Sequence, residues 1–138
     1  MEIIVFNRQN IQNFATDRPY VVISVRDSGS LPATLRPCNM RKGALFLEFD
    51  DVDKMFPGMV TFNLSHAHLI WAFVEKWSHQ VDVIAVNCEA GISRSAGVAG
   101  AISRVLNGED KKFFMPPYYP NRHVYSTLLN LYMNGGIK

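Results

Sequence analysis

Val83-Ile84-Ala85-Val86-Asn87-Cys88-Glu89-Ala90-Gly91-Ile92-Ser93-Arg94-Ser95-Ala96-Gly97-Val98-Ala99-Gly100-Ala101-Ile102 is an apolar run, a polar loop and a small-residue run in succession. The apolar run reads as a buried strand and the small-residue run as a closely packed helix, so the loop lies where a parallel strand hands over to a helix. If that loop wraps an anion, the backbone N–H groups from Glu89 to Arg94 point inward and the helix start adds its positive end. Such a cradle suits phosphate. The same field favours a thiolate at Cys88, the nucleophilic form of cysteine. Gly91 allows a tight turn and close backbone approach. Arg94 offers a planar fork for two phosphate oxygens, and Ser95 is placed to donate to the Cys88 sulfur. The bland alternative is a buried structural cysteine followed by an ordinary surface arginine.

Outward from this segment the elements alternate. Residues 2–6 read as a strand, 9–15 as a short helix and 20–25 as a β-branched strand. The Pro-bearing stretch 31–42 reads as irregular and 43–49 as a further strand. From Asn63 or Ser65, either of which suits an N-cap, Ala67, Ile70, Trp71, Val74 and Trp77 fall at helical spacing. Residues 81–86 form the strand before Cys88, 93–106 the helix after it with a stop at Asn107-Gly108, and a last helix runs from Asn121 to Gly135-Gly136. The expected fold is α/β, a small central mostly parallel sheet of four to five strands flanked by helices. Active sites of such open sheets gather at the carboxyl ends of the strands.

The 138 residues, 48% hydrophobic and 19% charged, fit one domain spanning 1–138 with a sizeable core. Fourteen basic against twelve acidic residues give a net charge of +2, too small a bias to indicate nucleic acid or a membrane surface. No apolar run approaches the ~18 residues of a membrane span. Two cysteines, Cys38 and Cys88, are too few for a disulfide framework, so a reducing, cytoplasmic setting is expected.

The stretch Cys88-Glu89-Ala90-Gly91-Ile92-Ser93-Arg94-Ser95 resembles the signature loop of the cysteine-dependent protein tyrosine phosphatases, His-Cys-x5-Arg-Ser/Thr, and is most similar to the compact dual-specificity branch. One position departs from it: where the family has His before the nucleophile this chain has Asn87, whose amide exchanges hydrogen bonds but carries no charge. The resemblance implies a protein tyrosine phosphatase-like fold and phosphomonoester hydrolysis through a cysteinyl-phosphate, with no cofactor or metal. Cys88 attacks phosphorus, Arg94 and the loop Glu89 to Ser93 hold the phosphoryl oxygens, and Ser95 assists the sulfur. A general acid is expected on a loop upstream, where Phe49-Asp50-Asp51-Val52-Asp53 stands. Alignment of the preceding strand makes Asp51 the first choice, with Asp50 and Asp53 as alternatives. An acid that protonates the leaving oxygen and then deprotonates water implies a bell-shaped pH–rate profile. Pro120-Asn121 resembles a Pro-Asn that supports the active-site loops in the family; an N-cap role explains Asn121 equally well.

The implied substrates are phosphorylated proteins, through phosphotyrosine first and phosphoserine or phosphothreonine as further candidates, acted on by a monomer without membrane or nucleic acid. RNA 5′ ends and phosphoinositides are alternatives within the same chemistry. A phosphate-binding pseudophosphatase module, which Asn87 favours, and a rhodanese-like sulfur carrier with the same Cys-to-Arg spacing are alternatives outside it. His66 and His68, two apart, read as surface residues rather than metal ligands. Cys38 reads as an unpaired thiol. Tyr118, Tyr119, Arg122 and His123 read as packing or turn residues, with the substrate mouth as the sharper alternative.

Overall fold

The computed structural model describes residues 1–135. The element order is β1 (Glu2–Phe6), α1 (Arg8–Asn13), β2 (Tyr20–Arg26), β3 (Arg41–Glu48), α2 (Leu64–Trp77), β4 (Val83–Asn87), α3 (Arg94–Asn107), a 3-10 turn (Lys111–Phe114) and α4 (Arg122–Met133). The four strands form one parallel sheet in the order β1-β4-β2-β3. The two central strands read as near-continuous apolar sequence because both faces are covered: every residue of β4 is buried, and all of β2 except Arg26.

Alternation along the strands divides two layers. Val21, Ile23, Val25, Ile84 and Val86 face the larger core with Ile70, Trp71, Val98, Ile102 and Leu128 of the helices. Tyr20, Val22, Val83 and Ala85 face the smaller one with Ile11 and Ala33. In α3 every residue from Arg94 to Ser103 is buried, and its small side chains admit α4 closely: a Cβ on Gly97 would stand 2.8 Å from the Asn121 carbonyl oxygen.

Several boundaries move from the sequence expectation. α1 spans Arg8–Asn13 and stops before Phe14 rather than at residue 15; Phe14 turns extended and packs tilted against Phe6 and edge-on against Tyr20. β3 starts earlier, at Arg41, where Tyr20 donates to the Met40 carbonyl and fixes the register. Val81 is outside β4; Asp82 and Val83 instead donate to the Pro19 carbonyl. α4 ends at Met133, with Gly135 in the turn beyond it, and Gly136 lies outside the described residues.

His66 corrects the surface reading. It stacks on Phe62, leans on Phe49, and its Nδ1 accepts the Asn63 N–H at 3.1 Å to complete a capping box. Burial pushes its pKa below the ordinary 6.5, against a smaller opposing effect of a hydrogen bond with Glu48. A base held neutral in the folded state stabilises fully above its unfolded value and loses that contribution as pH falls toward its folded value. Urea denaturation is therefore expected to show stability falling as pH drops through the ordinary histidine value of 6.5. His66→Gln, which keeps an acceptor at the capping-box position, is expected to flatten that slope. An unchanged slope would assign the pH dependence to other groups.

Candidate active site

The carboxyl ends of all four strands meet at one edge and each contributes a part: Asn7 after β1, Cys88 after β4, Asp27 after β2, and Phe49 to Asp51 after β3. Cys88 is 2% exposed, and its Sγ lies 3.0 Å from Ser95 Oγ. The loop between Cys88 and α3 is tied down by its carbonyls. Arg8 N donates to the Glu89 oxygen (3.1 Å), Tyr119 N to that of Ile92 (3.0 Å), and Asn121 N to that of Ser93 (2.9 Å). Among the described residues no N–H from Glu89 to Ser93 donates to a protein acceptor. Carbonyls turned outward and bonded, with amides left over beside a helix N-terminus, make an anion cradle.

Gly91 sits at φ +70°, and a Cβ there would stand 2.6 Å from Asn7 N and 2.8 Å from Phe6 C. The close approach that requires glycine is to the end of β1.

Arg94 is 5% exposed. Its Nη1 donates to the Phe49 carbonyl and pairs with Asp27 Oδ1, both at 2.8 Å, while Nε is buried with no partner. An unpaired buried donor costs about 1–3 kcal/mol. An oxyanion in the cradle would satisfy it.

The three aspartates differ sharply in their surroundings. Asp50 accepts from Ser28 N (2.9 Å), Ser28 Oγ (2.6 Å) and Val60 N (2.8 Å), and the Ser28 hydroxyl bond, followed by those from Val60 and the Ser28 amide, lowers its pKa. A carboxylate so engaged ties a turn together and is a poor proton donor. Asp51 Oδ1 accepts from Ser93 Oγ and from Asn121 Nδ2, each at 2.9 Å, while Oδ2 makes no hydrogen bond among the described residues. Asp53 is exposed and also makes none.

Asn121 serves four neighbours at once. Its Oδ1 caps α4 by accepting from Val124 N, its Nδ2 donates to Asp51 and to the Val52 carbonyl, and its backbone N–H holds Ser93. Ser93 precedes α3 but makes no cap bond; its hydroxyl goes to Asp51 instead.

Asn87 is 1% exposed, its Nδ2 3.5 Å from the Cys88 carbonyl and its Oδ1 without a partner. Tyr119, 81% exposed, and Arg122 line a cleft beside Ser93 together with Asp51, Asp53 and Phe56. Tyr118 packs on Phe113, and His123 bonds the Phe62 carbonyl on another side of α4. Cys38 lies by Thr16 and Tyr20 at the amino end of the sheet, opposite Cys88, and both thiols are free. Among the described residues no group of three or more His, Cys, Asp or Glu is arranged to hold a metal, and no helix is long and apolar enough to cross a membrane.

Two residues escape a reading of the sequence, Asp27 and the supporting Ser28. The only signal is their position directly after a strand, where parallel sheets gather function.

No protein-family model matches the chain, and no curated protein sequence matches it. Solved structures do. Human DUSP28 superposes with a TM-score of 0.60 at 17% identity, covering 97% of this chain and 93% of its own. The human tyrosine phosphatase-like serine/threonine/tyrosine-interacting protein gives 0.59 at 18%, covering 86% and 80%. The PTP-2 phosphatase of Cydia pomonella gives 0.59 at 17%, covering 94% and 85%. With a parallel sheet, a Cys-to-Arg loop on its central strand and helices packed on either side, the chain has the fold of the cysteine-dependent tyrosine and dual-specificity phosphatases.

Proposed function

We propose that the protein hydrolyses phosphomonoesters through a cysteinyl-phosphate, with phosphotyrosine and, through a shallow site, phosphoserine and phosphothreonine of proteins as substrates. The observation that carries this reading is the pairing of Cys88 Sγ with Ser95 Oγ at the base of a loop whose amides and Arg94 Nε lack protein acceptors. The phosphoryl group enters the cradle and its oxygens take the loop amides and the guanidinium. Cys88 attacks phosphorus as the ester P–O bond breaks, and the Asp51 carboxyl gives its proton to the leaving oxygen. Asp51 then takes a proton from water as that water displaces the sulfur, which leaves as a thiolate stabilised by the Ser95 hydroxyl.

Ser93 and Asn121 hold Asp51 Oδ1 and leave Oδ2 for the proton. Asp51→Asn is expected to lower kcat/KM, which reports the step that breaks the ester bond, about 100-fold for a phenyl or alkyl phosphate and much less for a nitrophenyl phosphate, whose leaving group needs little protonation. Asp50→Asn is expected to lower thermal stability without that leaving-group dependence, through loss of the Ser28 and Val60 bonds. The reverse pattern would transfer the acid role to Asp50.

Asn87 favours a second reading, a module that binds phosphorylated partners without turnover, because the position before the nucleophile holds a neutral amide with an unpaired oxygen. One of the structural neighbours is itself described as phosphatase-like. Hydrolysis of an aryl phosphate across pH in metal chelator separates the two: turnover with a bell-shaped profile supports the enzyme, and phosphate binding without turnover supports the module.

A further inference from the structure

Asp27 is the ion-pair partner of Arg94, and the chain spends several other groups on putting it there. Ser30 donates to the Asp27 carbonyl through N and Oγ, at 3.1 and 2.7 Å. Ser28 is clamped by the Asp50 carboxylate, and Gly29 N donates to Glu48. The turn after β2 is thus stapled to the end of β3, and both present an acceptor to one atom of the arginine, Asp27 Oδ1 and the Phe49 carbonyl to Nη1. The guanidinium side chain is 6% exposed and that of Asp27 52% exposed. Fixing Nη1 fixes the guanidinium plane, and among the described residues neither Nε, which is buried, nor Nη2 has a protein partner. A phosphate gripping Arg94 would therefore share the guanidinium with a carboxylate already bound to it.

We propose that Asp27 is a positioning residue of the phosphate site: it aims Arg94, and its negative charge sets how loosely the cradle holds phosphate. This rests on the reading of the loop as a phosphate site. The two parts separate in two variants. Asp27→Asn keeps an oxygen that accepts from Nη1 and removes the charge; Asp27→Ala removes both.

The test is calorimetric titration of the wild type and both variants with inorganic phosphate, beside kcat and KM for an aryl phosphate and thermal unfolding. Phosphate is expected to bind Asp27→Asn about tenfold tighter than wild type, because one nearby like charge is gone. Asp27→Ala is expected to bind tightly too, but with kcat about fivefold below that of Asp27→Asn, since Nη1 keeps only the Phe49 carbonyl. A merely structural aspartate would lower stability in both variants and tighten phosphate in neither. Phosphate affinity in Asp27→Asn equal to or weaker than wild type would overturn the proposal. A wild type that neither binds phosphate nor hydrolyses the ester would instead overturn the phosphate-site reading itself, a different result from binding that is indifferent to residue 27.

Discussion

Cys88→Ser is expected to abolish hydrolysis of aryl phosphates, by about 10⁴-fold or more, while binding inorganic phosphate at least as tightly as wild type, since a thiolate charge is removed from beside the anion, and leaving thermal unfolding close to wild type. The substitution exchanges one small buried atom for another at a position 2% exposed, so packing changes little. The loop amides and Arg94 do not depend on the sulfur. What is lost is the nucleophile, because a serine hydroxyl with no adjacent base remains neutral and weak. No general base stands beside residue 88: its neighbours are the Ser95 hydroxyl and the Asn87 amide. Acid-quenched wild type should carry phosphorus on Cys88 during turnover, and the serine variant none. Turnover that survived in Cys88→Ser would point to direct attack by water and remove the covalent intermediate.

Gly91→Ala is expected to lower stability by about 2–3 kcal/mol, which is about 10 °C in Tm, and kcat/KM by about 100-fold. Two costs add here. An L residue at φ +70° is disfavoured by about 1–2 kcal/mol. The new methyl would also stand 2.6 to 2.9 Å from three backbone atoms of Phe6 and Asn7. Those atoms end a strand paired with β4, and Arg8 N is bonded to Glu89 O, so the crowding moves the cradle itself. Gly58→Ala isolates the first cost, for Gly58 has φ +77° and a methyl there would meet nothing within 4 Å. It should cost about 1 kcal/mol and leave activity intact. Equal effects of the two substitutions would show that contact with β1 is unimportant.

How much of this is legible in the residues follows from the range of the interactions. β4 and α3 are readable because burial on both faces leaves an unbroken apolar strand, and close packing leaves a run of small residues. Those are local signals. The cradle is readable because its residues are contiguous from Cys88 to Ser95. Asp27 is not, since nothing in Arg26-Asp27-Ser28 separates a solvated turn from a counter-ion reached across the sheet edge. His66 misleads for a related reason: spacing from His68 places it on a helix, but only the tertiary contact with Phe49 and Phe62 half-buries it. Ser93 reads as part of the cradle alone, and its bond to Asp51, 42 positions away, has no pattern in the chain. The same holds for Asn121, where the sequence supports two explanations side by side and the geometry gives the residue both a cap and a bridge.

The strand order bears on how the molecule comes into being. β1 pairs with β4 alone, so Glu2 waits for Val83, about eighty positions later, and β4 in turn closes the gap between β1 and β2. Such distant pairings slow assembly. On a ribosome β1 stays without its partner until β4 has emerged, and the Cys88 loop gains its last carbonyl bonds only once residues 119 and 121 have emerged. The thiol thus meets its finished electrostatic surroundings near the end of folding, and a nascent chain carries it without the means to use it.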